Sequence, residues 1–435
     1  MQRRSFVKTV TGGVAGQLMA APEFRIGEEV LRSQINALSV FGRPAGGTFA
    51  SGVSRIGYSD ADIAGRKYVM QLMAEAGAKI RIDAAGNIFA ERPGSDSSLA
   101  PVLFGSHIDS VSTGGNFDGD LGSLASIDVL RLLQDKGVQT RRPLSVVVWA
   151  CEEASFSGQM LNGSRAAAGK LISKELETIS AGLVKSEAIR RIGGAPERIE
   201  SAQIRRDQYH SYVELHIEQG GNLAREGVPI GVVDGIVAIH HYDVVVKGFS
   251  NHAGTTPMPG RQDALVAASK LTIAVQETVT SEAGAQVGTV GHFEVSPNAS
   301  NVIPGEVKMS VELRDLSATK LERLAEQIRG RAMAIAQESK TQITMASGVH
   351  NQSAPTAPEV QKAIEAAASK LRLNTKHLPS GAGHDAHMMA TLMPMGMIFV
   401  PSVGGISHSP KELTSWQDCA NGANVLLETV LALAK

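Results

Sequence analysis

Only two cysteines, Cys151 and Cys419, occur in the 435 residues, too few for a disulfide framework. Neither sign of charge dominates: 42 Lys and Arg stand against 43 Asp and Glu, a formal net charge of −1. The basic excess of a chain-wide nucleic-acid footprint is therefore missing. No apolar run reaches the ~20 residues of a membrane-spanning helix, so neither nucleic acid nor membrane is expected as a partner. No internal repeat or low-complexity segment is present. What is there is a chain that is 43% hydrophobic, long enough to bury a sizeable core in two or three domains.

The N-terminus carries its own signal. Met1-Gln2-Arg3-Arg4-Ser5-Phe6-Val7-Lys8 is a twin-arginine start, and a mildly apolar run over 9–21 follows with no acid before Glu23. The pattern resembles a Tat export signal, which implies a periplasmic location; a disordered basic N-terminus on a cytoplasmic protein is the alternative. Residues 1–24 are set aside from the fold.

From 25 to 236, apolar runs alternate with helical patterns. Tyr58-Ser59-Asp60 precedes a helical repeat through Met70, Leu72, Met73 and Ala76 that stops at Gly77. A hairpin is expected over 79–91, turning at Ala85-Gly86-Asn87. Short buried strands are expected over 101–104 and 144–149, with a helix over 121–133 between them. Buried strands alternating with helices indicate an α/β fold with a mostly parallel sheet. Over 237–349 the order becomes β-α-β-β-α-β, an inserted α+β unit of ferredoxin-like type. The first style returns over 350–435.

Charged residues collect where strands end, the edge at which open α/β sheets bind ligands. His107 follows one apolar strand within "GSHIDSVSTGGNFDGD", which also holds Asp109 and Asp118. Another strand ends at Cys151-Glu152-Glu153, and adjacent acids at an apolar strand mouth are costly unless something positive neutralises them. His216 lies on one face of an alternating strand together with Glu214 and Glu218. His408 follows the last strand in a Gly-rich loop. His107, Asp118, Glu153, His216 and His408 make a nitrogen-and-carboxylate set without thiolate, suited to zinc, manganese or cobalt. Five ligands exceed one tetrahedral site but fit two ions sharing the short Asp118, about 3.5–4 Å apart. Glu152 then holds a proton near the ions. Asp109 is expected to orient the His107 ring with its carboxylate, Glu214 and Glu218 to be solvated neighbours of His216, and Cys151 to be a small buried packer.

The motifs GSHIDSV, GGNFDG, CEEASFSG, ELHIEQG, NHAGTTPM, NVIPG, ELRD, GAGHDAHMMA and GGISHSPKE resemble, in order and spacing, the hydantoinase/carbamoylase-type amidases of the carboxypeptidase-G-like dimetal peptidase superfamily. That family includes enzymes acting on N-carbamoyl-L-amino acids, allantoate and β-ureidopropionate. The resemblance implies a dimetal exopeptidase-like catalytic domain and an inserted lid and dimerisation domain. It implies one ion on His107, Asp118 and His216, the other on Asp118, Glu153 and His408, with Zn²⁺ favoured and Mn²⁺ or Co²⁺ as alternatives. Glu152 becomes the general base and His252 an oxyanion donor, which the implied homodimer could supply across its interface. Asn301 and the backbone N–H groups of Gly381, Ala382 and Gly383 match substrate-fixing positions, and Gln219 is a further contact. Arg314 is expected to fork onto a substrate carboxylate; an ion pair with Glu312 or Asp315 is its alternative. His384 and Asp385 are expected to support the loop at the site's edge, and His240 and His241 to be hinge or core residues. The implied reaction cleaves the linear C–N bond of an N-carbamoyl-L-amino acid. Allantoate hydrolysis, an aminoacylase or dipeptidase on the same scaffold, and a non-catalytic ureide binder are the alternatives.

Overall fold

The computed structural model describes residues 24–435, so the twin-arginine start lies outside the described residues. Local signals in the sequence become element boundaries. Ser59 accepts a hydrogen bond from the Asp62 N–H and opens the helix Asp60–Glu75, and Gly77 follows its end at a φ of 72°. Val102–His107, Leu144–Trp149 and Ser211–Ile217 are buried at every position. Such strands need cover on both faces. One face is covered by the helices Asp120–Asp135 and Trp416–Leu433, which pack on each other. The other is covered by a separate apolar cluster that includes Trp149, Tyr212, Met389 and Phe399.

The central strands of the main sheet run in the order Leu144–Trp149, Val102–His107, Ser211–Ile217, Met395–Val400, each parallel to the next. This brings the C-terminal ends of four strands to one edge, with His107 and His216 on the strands themselves and Glu153 and His408 in the loops that follow. The hairpin Lys79–Ile82 and Ile88–Arg92 adds antiparallel strands on one side. Ile230–Ile236 pairs antiparallel with Met395–Val400 on the other, and Thr375–Ser380 lies parallel to it.

A second sheet is antiparallel throughout, in the order Gln342–Asn351, Ala238–Lys247, Glu306–Asp315, then Val287–Thr289 and Phe293–Ser296 side by side on the last of these. Where the β-α-β-β-α-β order has a single strand after the first helix, two short ones stand, with the break at Val290-Gly291-His292. Helices Ala264–Thr280 and Ala318–Ser339 bury this sheet's own core, including Tyr242, Leu271, Val311 and Leu324. Asp263 and Ser317 cap their first turns. Chain entry and exit lie side by side: Ile239 pairs with Asn351, and Ile236 with Ala354. His240 and His241 sit within the first strand of this sheet. His240 is buried and stacks on His350 with ring centroids 4.2 Å apart, a core position of the second sheet.

Candidate metal centre

The site begins with two fixed imidazoles. His107 Nδ1 lies 3.0 Å from the Asp109 carbonyl oxygen and His216 Nδ1 lies 2.9 Å from that of Ile217. A carbonyl only accepts, so each Nδ1 carries the proton, and in the neutral ring Nε2 is left with its lone pair. Both Nε2 atoms face the same carboxylate oxygen: Asp118 Oδ1 is 3.5 Å from His107 and 3.0 Å from His216. Among the described residues, the buried His216 Nε2 has no hydrogen-bond partner. Lone pairs converging on a buried carboxylate repel unless positive charge lies among them. Burial works against a charged His107, yet Glu152, Asp118 and Asp109 hold its pKa well above the usual histidine value. The pocket asks for a cation.

The second oxygen of Asp118 faces another set. His408 Nε2 is 3.4 Å from Asp118 Oδ2 and 3.3 Å from Glu153 Oε1. The ligand atoms of His107, Asp118 and His216, and those of Asp118, Glu153 and His408, all lie within 4.8 Å of one another in each trio. The donors therefore fit two divalent cations sharing Asp118, with nitrogen and oxygen ligands and no thiolate. His408 is the exposed wall of the cluster, at 47% side-chain exposure, while the other four are buried.

Asp109 has a different task from the one expected. The ring of His107 is held by its backbone carbonyl, and the carboxylate accepts from the N–H groups of Glu152 (3.0 Å) and Glu153 (3.1 Å). It shapes the turn that turns both glutamates inward, a turn that places Cys151 at a φ of 51°. Glu152 is buried, with Oε2 4.0 Å from His107 Nε2. Burial, opposed by His107 and reinforced by Glu153, raises its pKa well above the carboxylate range.

The expected solvation of Glu214 and Glu218 is overturned. Glu214 is fully buried because three donors neutralise it: Ser106 Oγ, Tyr212 Oη and the Ala386 N–H, each at 3.0 Å. Glu218 accepts from the N–H groups of Asn222 and Leu223, both at 2.8 Å, at the start of the helix Asn222–Glu226. Gln219, expected as a substrate contact, donates from Nε2 to Asp118 Oδ2 at 2.7 Å. His384 is buried with its ring centroid 4.5 Å from that of His216 and its Nε2 2.9 Å from Ser380 Oγ. Asp385 is buried beside it.

The residues expected from the second sheet stand apart. His252 is exposed; its Nδ1 accepts from the Gly254 and Thr255 N–H groups at 3.0 and 3.2 Å, so Nε2–H is the free donor. The Ala253 N–H bonds to the Asn301 carbonyl at 3.0 Å, which places these two loops together. Arg314 adopts its alternative: Nε and Nη2 donate to Glu312 Oε1 at 2.8 and 2.7 Å, and Nη1 donates to the Gly381 carbonyl at 2.7 Å. The Ala382 N–H is also taken, by Ser380 Oγ at 3.2 Å, so the three N–H groups of 381–383 are not all free. Among the described residues, no hydrogen bond or ion pair joins His252, Asn301 or Arg314 to the five-ligand cluster. A cavity of about 760 Å³ lined by Arg81, Phe89, Leu144 and Tyr209 lies at the other ends of the strands and includes none of these residues.

Two residues of the centre went unassigned from sequence. Glu412 Oε1 accepts from the Phe117 N–H (2.9 Å) and the Asp118 N–H (3.1 Å). Ser407 Oγ lies 2.9 Å from Asp118 Oδ2 and 2.8 Å from Glu412 Oε2. The one available signal was an acid four residues after His408 in GGISHSPKE. Burial, with the charge of Asp118 close by, pushes Glu412 up to about 7.

Residues 103–432 match the model of Peptidase family M20/M25/M40. The chain is 38% identical over 387 residues to the N-carbamoyl-L-amino acid amidohydrolase of Geobacillus stearothermophilus, covering 89% of this chain and 94% of that one. It is 36% identical over 435 residues to the ureidoglycolate hydrolase of Arabidopsis thaliana, covering 97% and 90%. A solved amidase of the hydantoinase/carbamoylase family from Burkholderia multivorans superposes with a TM-score of 0.87 at 34% identity, covering 95% of this chain and 99% of that one. The chain belongs to the Peptidase M20/M25/M40 family and, within it, to the hydantoinase/carbamoylase-type amidases, hydrolases of carbon–nitrogen bonds in linear amides.

Proposed function

We propose that this enzyme hydrolyses the ureido group of an N-carbamoyl-L-amino acid, consuming water and releasing the amino acid, ammonia and CO₂. The observation that carries the reading is the arrangement around Asp118, whose two oxygens face separate histidine-containing sets. His107, Asp118 and His216 would hold one divalent cation, and Asp118, Glu153 and His408 the other; zinc (the first choice), manganese and cobalt all suit these donors. Bound cations supply Lewis acidity toward the ureido oxygen and toward water. Glu152, buried beside His107, takes a proton from the attacking water and returns it to the departing nitrogen. His252 has a free Nε2–H with which to stabilise the oxyanion. Arg314 receives the substrate carboxylate, for which it exchanges part of its pairing with Glu312.

In this proposal the second-sheet unit acts as a lid and forms the homodimer contact. Since His252, Asn301 and Arg314 do not touch the metal cluster, closure of that unit is what completes the site. Export rests on the twin-arginine start alone, and cell fractionation tests it.

The deciding experiment measures bound metal and ammonia release from N-carbamoyl-L-amino acids, allantoate and ureidoglycolate, with an N-acetyl amino acid and a dipeptide alongside. Two equivalents of metal and turnover of a carbamoyl amino acid are expected. Trace metal after reconstitution rejects the dimetal reading. Turnover confined to allantoate or ureidoglycolate transfers the assignment to ureide catabolism. Turnover confined to the last two substrates transfers it to an aminoacylase or dipeptidase.

A further inference from the structure

Asp118 sits in a loop, and a shared carboxylate has to present its two oxygens in two fixed directions. Three features restrain it from one side. Glu412, 295 residues away from Phe117 in sequence, reaches back under the loop and accepts both the Phe117 and Asp118 N–H groups on a single carboxylate oxygen. Its other oxygen meets Ser407 Oγ, which also touches Asp118 Oδ2. Gly115 leaves the space for this: a β-carbon there would lie 2.1 Å from Glu412 Oε1. Glu412 is 3% exposed, so water does not substitute for it.

We propose that Glu412 is a positioning residue that, with Ser407, holds Asp118 Oδ2 toward Glu153 and His408, which would share a cation with it. The inference rests on the dimetal reading above and assigns to Glu412 the asymmetry between the two ion sites. Ser407 touches Oδ2, as Gln219 Nε2 also does at 2.7 Å, and Glu412 reaches Oδ2 through Ser407, the chain neighbour of His408. The His107–His216 side is held independently, by the backbone carbonyls of Asp109 and Ile217. Losing the clamp therefore weakens one ion far more than the other.

The chemistry of Ser407 supplies a control. Its hydroxyl has one proton and two nearby acceptors. In Glu412→Gln the amide oxygen still accepts the two backbone N–H groups. The new NH₂ donates to Ser407, whose own proton then goes to Asp118. The substitution keeps the geometry while removing the charge.

The test is calorimetric titration of the metal-stripped full-length protein with Zn²⁺, beside thermal unfolding of each metal-free variant. Wild type is expected to take up two equivalents. Glu412→Ala is expected to lose about 10–100-fold in affinity, the range for outer partners of metal ligands, and at one equivalent only. That equivalent is the one His408→Ala removes. Ser407→Ala shows the same direction with a smaller effect, and Glu412→Gln returns to within a few-fold of wild type. Equal weakening of both equivalents, or unchanged affinities beside a lowered metal-free melting temperature, overturns the proposal and leaves Glu412 a structural residue. A wild type that binds two ions while Glu412→Gln behaves as Glu412→Ala overturns the positioning account alone. A wild type that binds none overturns the dimetal reading and this inference with it.

Discussion

Gly119 lies flat against the imidazole of His107: a β-carbon at position 119 would sit 2.4 Å from Cε1 of that ring, and the residue's φ is 67°. One glycine therefore lets the Asp118 loop turn and leaves the ring room to face Asp118. Gly119→Ala is expected to displace His107, lowering zinc affinity about tenfold or more. Overpacking costs about 1–3 kcal/mol of stability as well. Titration with Zn²⁺ and denaturant unfolding check the two effects, and wild-type affinity in the variant would refute the first.

Glu152→Gln keeps the size of the side chain and removes its ability to take a proton. Turnover is expected to fall roughly 10²–10⁴-fold with metal content unchanged. Parallel metal analysis and steady-state kinetics separate this from a ligand defect, in which both would drop.

The pairing of Arg314 with Glu312 makes a prediction in two directions. Arg314→Ala is expected to raise KM for carboxylate substrates about 10–100-fold, as for the loss of a charge-assisted hydrogen bond of about 1.5–3 kcal/mol, with kcat less affected. Glu312→Gln releases the guanidinium and is expected to lower KM a few-fold. If both substitutions raise KM equally, Glu312 is supporting the fork and does not compete for it.

On the dimetal reading, removing metal leaves the lone pairs around Asp118 without a positive centre. Exhaustive chelation is expected to lower the melting temperature and re-addition of Zn²⁺ to restore it, since a ligand that binds only the folded state stabilises it. A melting curve insensitive to both would contradict the fit of the cluster to a cation.

Asp128 offers a pH test far from the metal ligands. It is buried on the helix Asp120–Asp135, accepts from Gln34 Nε2 at 2.8 Å and pairs with Arg131 at 2.8 Å. Burial, opposed by Arg131 and by Gln34, still moves it from 3.8 to about 6. The sign follows: a raised carboxyl disfavours the ionised folded state. The wild type thus loses stability relative to Asp128→Asn as pH rises from about 4 to about 6, on the order of 3 kcal/mol in all. Denaturant unfolding at several pH values should show that gap open and then level off; a constant gap would mean that Asp128 is ionised freely.

Strand ends and turn residues were legible because they depend on short stretches. The stretches 101–104 and 144–149 declare themselves by their apolarity and Tyr212 to Ile217 by its alternation, with His107 and His216 on the strands and Asp118, Glu153 and His408 in the loops that follow strands. Roles that depend on distant partners were not legible. Glu214 alternates correctly along its strand, but periodicity gives a face and not its solvent; Ser106, Tyr212 and Ala386 decide that it is dry. Asp109 lies close enough to His107 in sequence to invite pairing, yet its carboxylate is claimed by the backbone of Glu152 and Glu153. The strand Thr375–Ser380 is polar and irregular in pattern because it lies at the sheet's margin, where pairing with Ile230–Ile236 and not burial defines it. Glu412 sits in a loop motif that advertises only the histidine before it.

The chain passes out to the second sheet and back through neighbouring strands, and Ile236 already faces Ala354 across a backbone ladder. A short reverse turn joining those two positions would excise 237–353 without cutting any strand of the main sheet. A minimal protein made this way is expected, on the dimetal reading, to bind ions as the full chain does and to forfeit whatever residues 237–353 contribute to recognition.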